Sequence, residues 1–362
     1  MDSFFPGPDG LALPASPGLF KFLSIFTYTL HIIPMAFLIG LMIFAIFFYV
    51  KKSSNPEIFS SILQIIGNSL PLMLTFTLVS GALPLLFVQL LYGQAFYPAA
   101  ILTGWMWYLV LAFILFSFFG VWLFKNKVIS FPSVGIVTLA LSLIALLVVN
   151  YVFTNVSVLM LSPEAIKTAY LNPSQSIVSF SDPQVAPRWI FFFVTSIALS
   201  GLLLNAFGHL SKKISEETRE YLFQTGFWGY TIGSVLSIIV LIYWLFVLPD
   251  QTSSKIWSSH YFELFVTALV FAIVFLKVSN SIKEAGIFIM SPISAFFAVF
   301  IFGWIRHGVR EQALEPVFID TSAVDVQTDY GNLFLFFFLI SAGIVYLVYL
   351  TRLYYRATHS QS

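Results

Sequence analysis

The chain has 362 residues, of which 59% are hydrophobic and 9% charged, and its formal net charge is +1. An ordinary soluble domain is about 25% charged, so this composition excludes a water-exposed globule, and the near-zero net charge leaves no electrostatic footprint for nucleic acid. There is no cysteine, which excludes disulfides, Cys-ligated zinc, iron–sulfur clusters and covalently attached c-type haem; a redox cofactor would need His or Met ligands.

Residues 1–19 form an external N-terminal segment rich in Pro and Gly. It contains Asp2 and Asp9 but no Lys or Arg, so it lacks the basic start of a secretory signal. A spanning helix needs about 20 mostly apolar residues. Runs of that kind lie at 20–50, 69–92, 98–124, 132–157, 188–209, 227–248, 259–278, 285–305 and 333–351. They predict an all-α, polytopic membrane helix bundle of about nine transmembrane helices, a single membrane domain over 20–351, followed by a cytoplasmic tail at 352–362. The first run is long enough to tilt or to project from the bilayer. Asn55 to Ser69 reads as a short interfacial helix.

Basic residues mark the cytoplasmic side of a membrane protein. Lys51, Lys52, Lys125, Lys127, Lys212, Lys213, Arg219, Lys277, Lys283, Arg352 and Arg356 fall on one side of the predicted bundle. Lys21, Lys167, Arg188, Lys255, Arg306 and Arg310 fall on the other. The richer side predicts an N-terminus outside and a C-terminus inside, in a cell inner (cytoplasmic) membrane. The outer loop after the eighth run collects Glu311, Glu315, Asp320, Asp325 and Asp329.

Ionisable groups inside a membrane are expensive and are functional candidates by default. His31 lies eleven residues into the first run, roughly 16 Å down at 1.5 Å per residue, with Pro34 loosening the helix after it. Two readings of it stand: an axial haem ligand through a neutral imidazole, or a neutral side chain bonded to a carbonyl of a neighbouring helix. His260 opens the seventh run three residues before Glu263, as a structural group or an outer-side haem ligand. His209 reads as a solvated cap, His307 as a headgroup or docking contact, and His359 belongs to the tail. Asn150 and Asn155 suit interhelical hydrogen bonds, and Trp105, Trp107, Trp189, Trp228 and Trp257 suit an interfacial aromatic belt. No phosphate-binding loop, zinc motif or nucleophile elbow is present. Pro71, Pro84 and Pro292 do not pair into the inverted repeat of a transporter.

Several strings resemble subunit I of the cytochrome bd-type quinol oxidases. Leu30-His31-Ile32-Ile33-Pro34-Met35-Ala36-Phe37-Leu38-Ile39-Gly40 is similar to the family's first helix. Phe87-Val88-Gln89-Leu90-Leu91-Tyr92-Gly93 resembles its Phe-Gln-Phe-Gly turn. Asn155 to Pro163, with Met160, is similar to an Asn, Met and Pro pattern, and Gly303-Trp304 with Arg310 and Glu311 to a Gly-Trp and Arg-Gln-Pro-Trp turn. The resemblance covers most of the chain through short motifs. It implies nine spans with an outside-to-inside course, and a haem ligated by His31. The chain also departs from the family. Phe191 stands where a second haem-ligating His is expected, the seventh run lacks a Met ligand unless His260 replaces it, and the third and ninth runs carry no carboxylate. The loop from Pro249 to Ser259 is too short for the family's quinol site.

The expectation is therefore an integral membrane subunit of a respiratory electron-transfer complex with at most one b-type haem. Its partners would be the lipid bilayer and other membrane or cytochrome subunits, docked at an outer surface with Arg306, Arg310, Glu311 and Glu315. The alternatives are a cofactor-free assembly subunit of such a complex and a membrane transporter.

Overall fold

The computed structural model describes residues 12–171, 182–211, 214–315 and 325–359. Lys212, Lys213, Asp320 and residues 1–11 and 360–362, which enter the expectations above, lie outside the described residues. Twelve helices follow in chain order: α1 Pro17–Lys51, α2 Pro56–Thr103, α3 Met106–Lys127, α4 Pro132–Leu159, α5 Pro163–Leu171, α6 Val185–Leu210, α7 Glu216–Val247, α8 Asp250–Ser258, α9 Tyr261–Ile282, α10 Ala285–Phe288, α11 Met290–Leu314 and α12 Tyr330–His359. Among the described residues there is no strand, only an isolated bridge between Leu13 and Val326. Among the described residues eight segments are long and apolar enough to cross a membrane: α1, α2, α3, α4, α6, α7, α9 and Gly286–Leu314. The protein is a multi-pass membrane protein.

Local chemistry sets several helix starts. Ser16 accepts from the Leu19 amide at 3.4 Å, with Pro17 in the first turn, and Asn55 accepts from the Ile58 amide at 3.3 Å, with Pro56 next. Ser215 does the same for Thr218 at 3.1 Å. These oxygens satisfy amides that the first turn leaves unpaired. Helix α9 is bounded differently. Among the described residues His260 before it and Lys283 after it are the non-glycine residues with positive φ, 60° and 55°. At the Lys283 end, the Glu284 amide donates to the Ser279 carbonyl at 3.3 Å, the 6→1 bond of a Schellman motif.

Three predicted boundaries are corrected. The expected interfacial helix at 55–69 and the second run form one helix, α2, which continues to Thr103 and kinks at Tyr92 (φ −133°, ψ 26°); the break expected between 92 and 98 falls instead at Gly104, whose φ is 56°. Helix α11 continues to Leu314, so Arg306, Arg310 and Glu311 lie in a helix and not in the expected outer loop. Helix α12 contains the apolar run at 333–351. Leu333 and Phe336 pack on the small cluster of Leu13, Phe20 and Phe87, while Phe334, Leu335, Phe337, Phe338 and Leu339 are exposed.

The core is tightest where small residues let backbones meet. A β-carbon on Gly201 of α6 would stand 2.5 Å from the Tyr230 nitrogen of α7, and one on Gly233 would stand 2.6 Å from the Ala198 nitrogen of α6. On the other side of α6, Ser200 donates to the Phe37 carbonyl of α1 at 3.1 Å, opposite Gly40. Lipid offers no hydrophobic drive for such contacts, so close packing and interhelical bonds hold the bundle. Outward-facing apolar side chains such as Phe119, Leu111, Ile239, Phe246 and Phe271 are exposed, as suits a lipid-facing surface.

Candidate functional site

A group of polar side chains lies toward the end of the bundle where α1, α6 and α9 begin and α2, α4 and α11 end. His31 lies deepest, in the middle of α1. Its Nδ1–H donates to the Thr77 carbonyl of α2 at 3.1 Å, with Ser80 Oγ at 3.4 Å. A carbonyl partner fixes the proton on Nδ1, so in the neutral ring Nε2 keeps its lone pair. No described residue bonds that nitrogen. The ring approaches α2 because Gly81 offers no side chain; a β-carbon there would stand 2.9 Å from His31 Cε1.

A packed group of rings lies across the bundle, at the position expected by resemblance to hold a second histidine. Phe191 of α6 stacks on Phe302 of α11 with centroids 4.1 Å apart, and Phe265 of α9 and Trp244 of α7 close around Phe302 at 6.5 and 6.2 Å. Phe191 and Trp244 are buried.

Beyond these rings lie three arginines. Arg188, one turn into α6, sits over the Trp244 ring at 4.6 Å and donates from Nη2 to Gln184 Oε1 at 3.1 Å. Arg306 of α11 sits over Tyr28 of α1 at 4.6 Å and donates to Ser157 Oγ of α4 at 3.1 Å. Arg310, one turn on, is 3% exposed and sits over Tyr92 at the kink of α2, 5.0 Å from its centroid. Arg306 is close enough to both Arg188 and Arg310 for their charges to repel, and Tyr28 lies within reach of all three. Among the described residues no carboxylate lies at ion-pair distance from any of them. Glu311 is taken by Lys21 of α1, and His307 Nε2 lies 3.4 Å from it, outside hydrogen-bond geometry. Asp182 accepts from the Gln184 amide at 2.9 Å.

The candidate residues read from the sequence are thus scattered. His260 sits on the exposed start of α9 and bonds Glu263 Oε2 through Nδ1 at 2.6 Å; it is away from His31. Of the residues expected at a docking surface, Arg310 is buried against Tyr92 and Arg306 is half-buried against Tyr28, whereas Glu315 is exposed, 3.8 Å from Lys255. Sequence reasoning did not group Arg188, Tyr28 and Tyr92 with Arg306 and Arg310. The signal available was three arginines at the edges of otherwise uncharged runs. Among the described residues no group of three or more His, Asp or Glu converges as a metal site.

No family model and no curated protein matches the chain.

Proposed function

We propose that the chain is an integral membrane subunit of a respiratory electron-transfer complex, similar to cytochrome bd subunit I, with one b-type haem position at most. In this reading it has nine spans, an outside N-terminus and an inside C-terminus, in the inner membrane of the cell. The observation that carries the proposal is the His31 imidazole: half-buried in mid-helix, its tautomer set by the Thr77 carbonyl, its Nε2 without a bond from the described residues. Metal-bound histidines are oriented by such a second-shell carbonyl, so the residues here fit a haem iron at Nε2. A haem in that place would supply one-electron transfer.

The Phe191–Phe302 stack supports the limit of one, since rings in contact at 4.1 Å leave no room for a second macrocycle between α6 and α11. With a single redox centre and no acidic residue in the third or ninth run, the chain acts only with partner subunits that carry the remaining centres. His260, bonded to Glu263, serves as a structural end to α9 in this reading.

The test is a reduced-minus-oxidised visible spectrum of the purified chain, wild type and His31→Ala. A b-type absorbance lost in the variant, while the protein still inserts, supports the reading. No absorbance in a chain purified with its partners, or an unchanged one in His31→Ala, overturns the His31 assignment. Cyanide-sensitive oxygen consumption by the single chain with reduced quinol would overturn its dependence on partners.

A further inference from the structure

We propose that Arg188, Arg306 and Arg310 form a binding site for a phosphate group, either the headgroup of a phospholipid or free phosphate, at the end of the bundle where α6 begins and α11 ends. The site goes beyond the redox reading and does not need a haem.

Three observations converge. The first is charge. Three guanidinium groups from α6 and α11 lie together with no carboxylate at ion-pair distance among the described residues; the acids whose charge reaches them, Asp182 toward Arg188 and Glu311 toward Arg310, bond the Gln184 amide and Lys21 and not a guanidinium. A guanidinium stays protonated in a protein, and a buried charge without a partner is strongly destabilising. An anion resolves that conflict.

The second is the supply of donors. Each guanidinium lies over an aromatic ring, Arg188 on Trp244, Arg306 on Tyr28 and Arg310 on Tyr92. A ring engages the face of the fork and leaves its edge N–H groups for oxygen acceptors. Among the described residues only two of these donors are spent, on Gln184 and Ser157, and Arg188 Nε is buried without a partner.

The third is independent of the arginines. The Tyr92 hydroxyl and His307 Nδ1 are also buried without hydrogen-bond partners, while His307 Nε2 lies 3.4 Å from Glu311 Oε1. Tyr92 and His307 face each other with ring centroids 6.3 Å apart, and Arg310 lies over the same Tyr92 ring. Buried polar atoms are almost always bonded, so the unbonded Tyr92 hydroxyl and His307 Nδ1 beside Arg310 mark the place of a missing partner. Phosphate suits it better than a carboxylate, because it brings more oxygens and more negative charge to three forks. The depth agrees with a headgroup: Arg310 lies four residues and Arg306 eight residues before the end of α11, about 6 and 12 Å along the helix.

The full chain in detergent, free of added phosphate, is titrated with inorganic phosphate and, separately, with phosphatidylglycerol micelles, and thermal unfolding is followed. The expected result is a saturable rise in midpoint with one of the two, or phospholipid phosphorus retained at about one per chain through purification. A response to lipid, or retained lipid phosphorus, identifies a headgroup; a response to inorganic phosphate alone identifies the free ion. Arg310→Gln should weaken the response about tenfold or more. Arg310→Lys keeps the charge without the fork and should lose part of it, which serves where the Gln variant does not fold. A wild-type chain with neither response nor retained phosphorus overturns the proposal, and so does an Arg310→Lys or Arg310→Gln chain that responds like the wild type.

Discussion

Gly233 of α7 lies against Ala198 of α6 so closely that a β-carbon would meet the Ala198 nitrogen at 2.6 Å and its Cα at 2.8 Å. The obstructing atoms are backbone, so they have no rotamer to move into. Gly233→Val should therefore separate the two helices and destabilise the protein by about 1–3 kcal/mol. Thermal unfolding in detergent reads this directly. Gly343→Val, where nothing lies within 4 Å, is the control and should unfold like the wild type.

Two interhelical lysine pairs at opposite ends of the bundle should differ in weight. Lys21 and Glu311 tie α1 to α11 with side chains 26% and 38% exposed, whereas Lys283 and Glu216 tie the end of α9 to the start of α7 at 52% and 59%. Lys21→Met should cost about 1 kcal/mol, the upper end for such pairs, and Lys283→Met, at the more exposed pair, should lower the unfolding midpoint by less. Lys283 donates to Glu216, which holds its ammonium above the ordinary lysine range. Its contribution is therefore complete at neutral pH and is lost only as pH rises through that raised value.

Orientation is open to labelling, because a chain without cysteine carries only the one introduced. Asp325 and Lys125 are both exposed, at the start of the α12 end and the close of α3. In the proposed topology Asp325→Cys reacts with an impermeant maleimide in intact cells, and Lys125→Cys reacts only once the membrane is opened. The reverse pattern would invert every span.

Much of the helix framework was legible in the sequence because lipid imposes a length: the runs at 132–157 and 188–209 became α4 and α6 with ends shifted by a few residues. The errors came where charge and length conflict. Arg306 and Arg310 read as loop residues because guanidinium groups are costly in a membrane helix; the faces of Tyr28 and Tyr92, which reduce that cost, arrive from α1 and α2 and have no signature near the arginines in sequence. Tyr92 was read inside a turn, but the chain passes it with a kink and continues for two more turns and beyond to Thr103. The glycine seam was readable in principle. Gly229 and Gly233 are four residues apart on α7, the spacing of close-packed membrane helices, yet the matching face of α6 uses Ala198, Gly201 and Asn205, which no single-helix pattern pairs with it. The Nδ1 bond of His31 depends on Gly81, fifty residues away.

Helix α9 closes at both ends on residues held in the left-handed region, His260 and Lys283. A helix that ends in composition alone can fray by a turn or recruit one. This one cannot lengthen without forcing His260 or Lys283 into a different backbone well, nor shorten without putting Tyr261 or Ile282 into theirs. Its 22 residues are thus a ruler of about 33 Å, close to the roughly 30 Å of a hydrocarbon core. In a thicker or thinner membrane the adjustment falls on the lipid or on the tilt of the whole bundle, and the protein carries its preferred bilayer thickness in two dihedral angles.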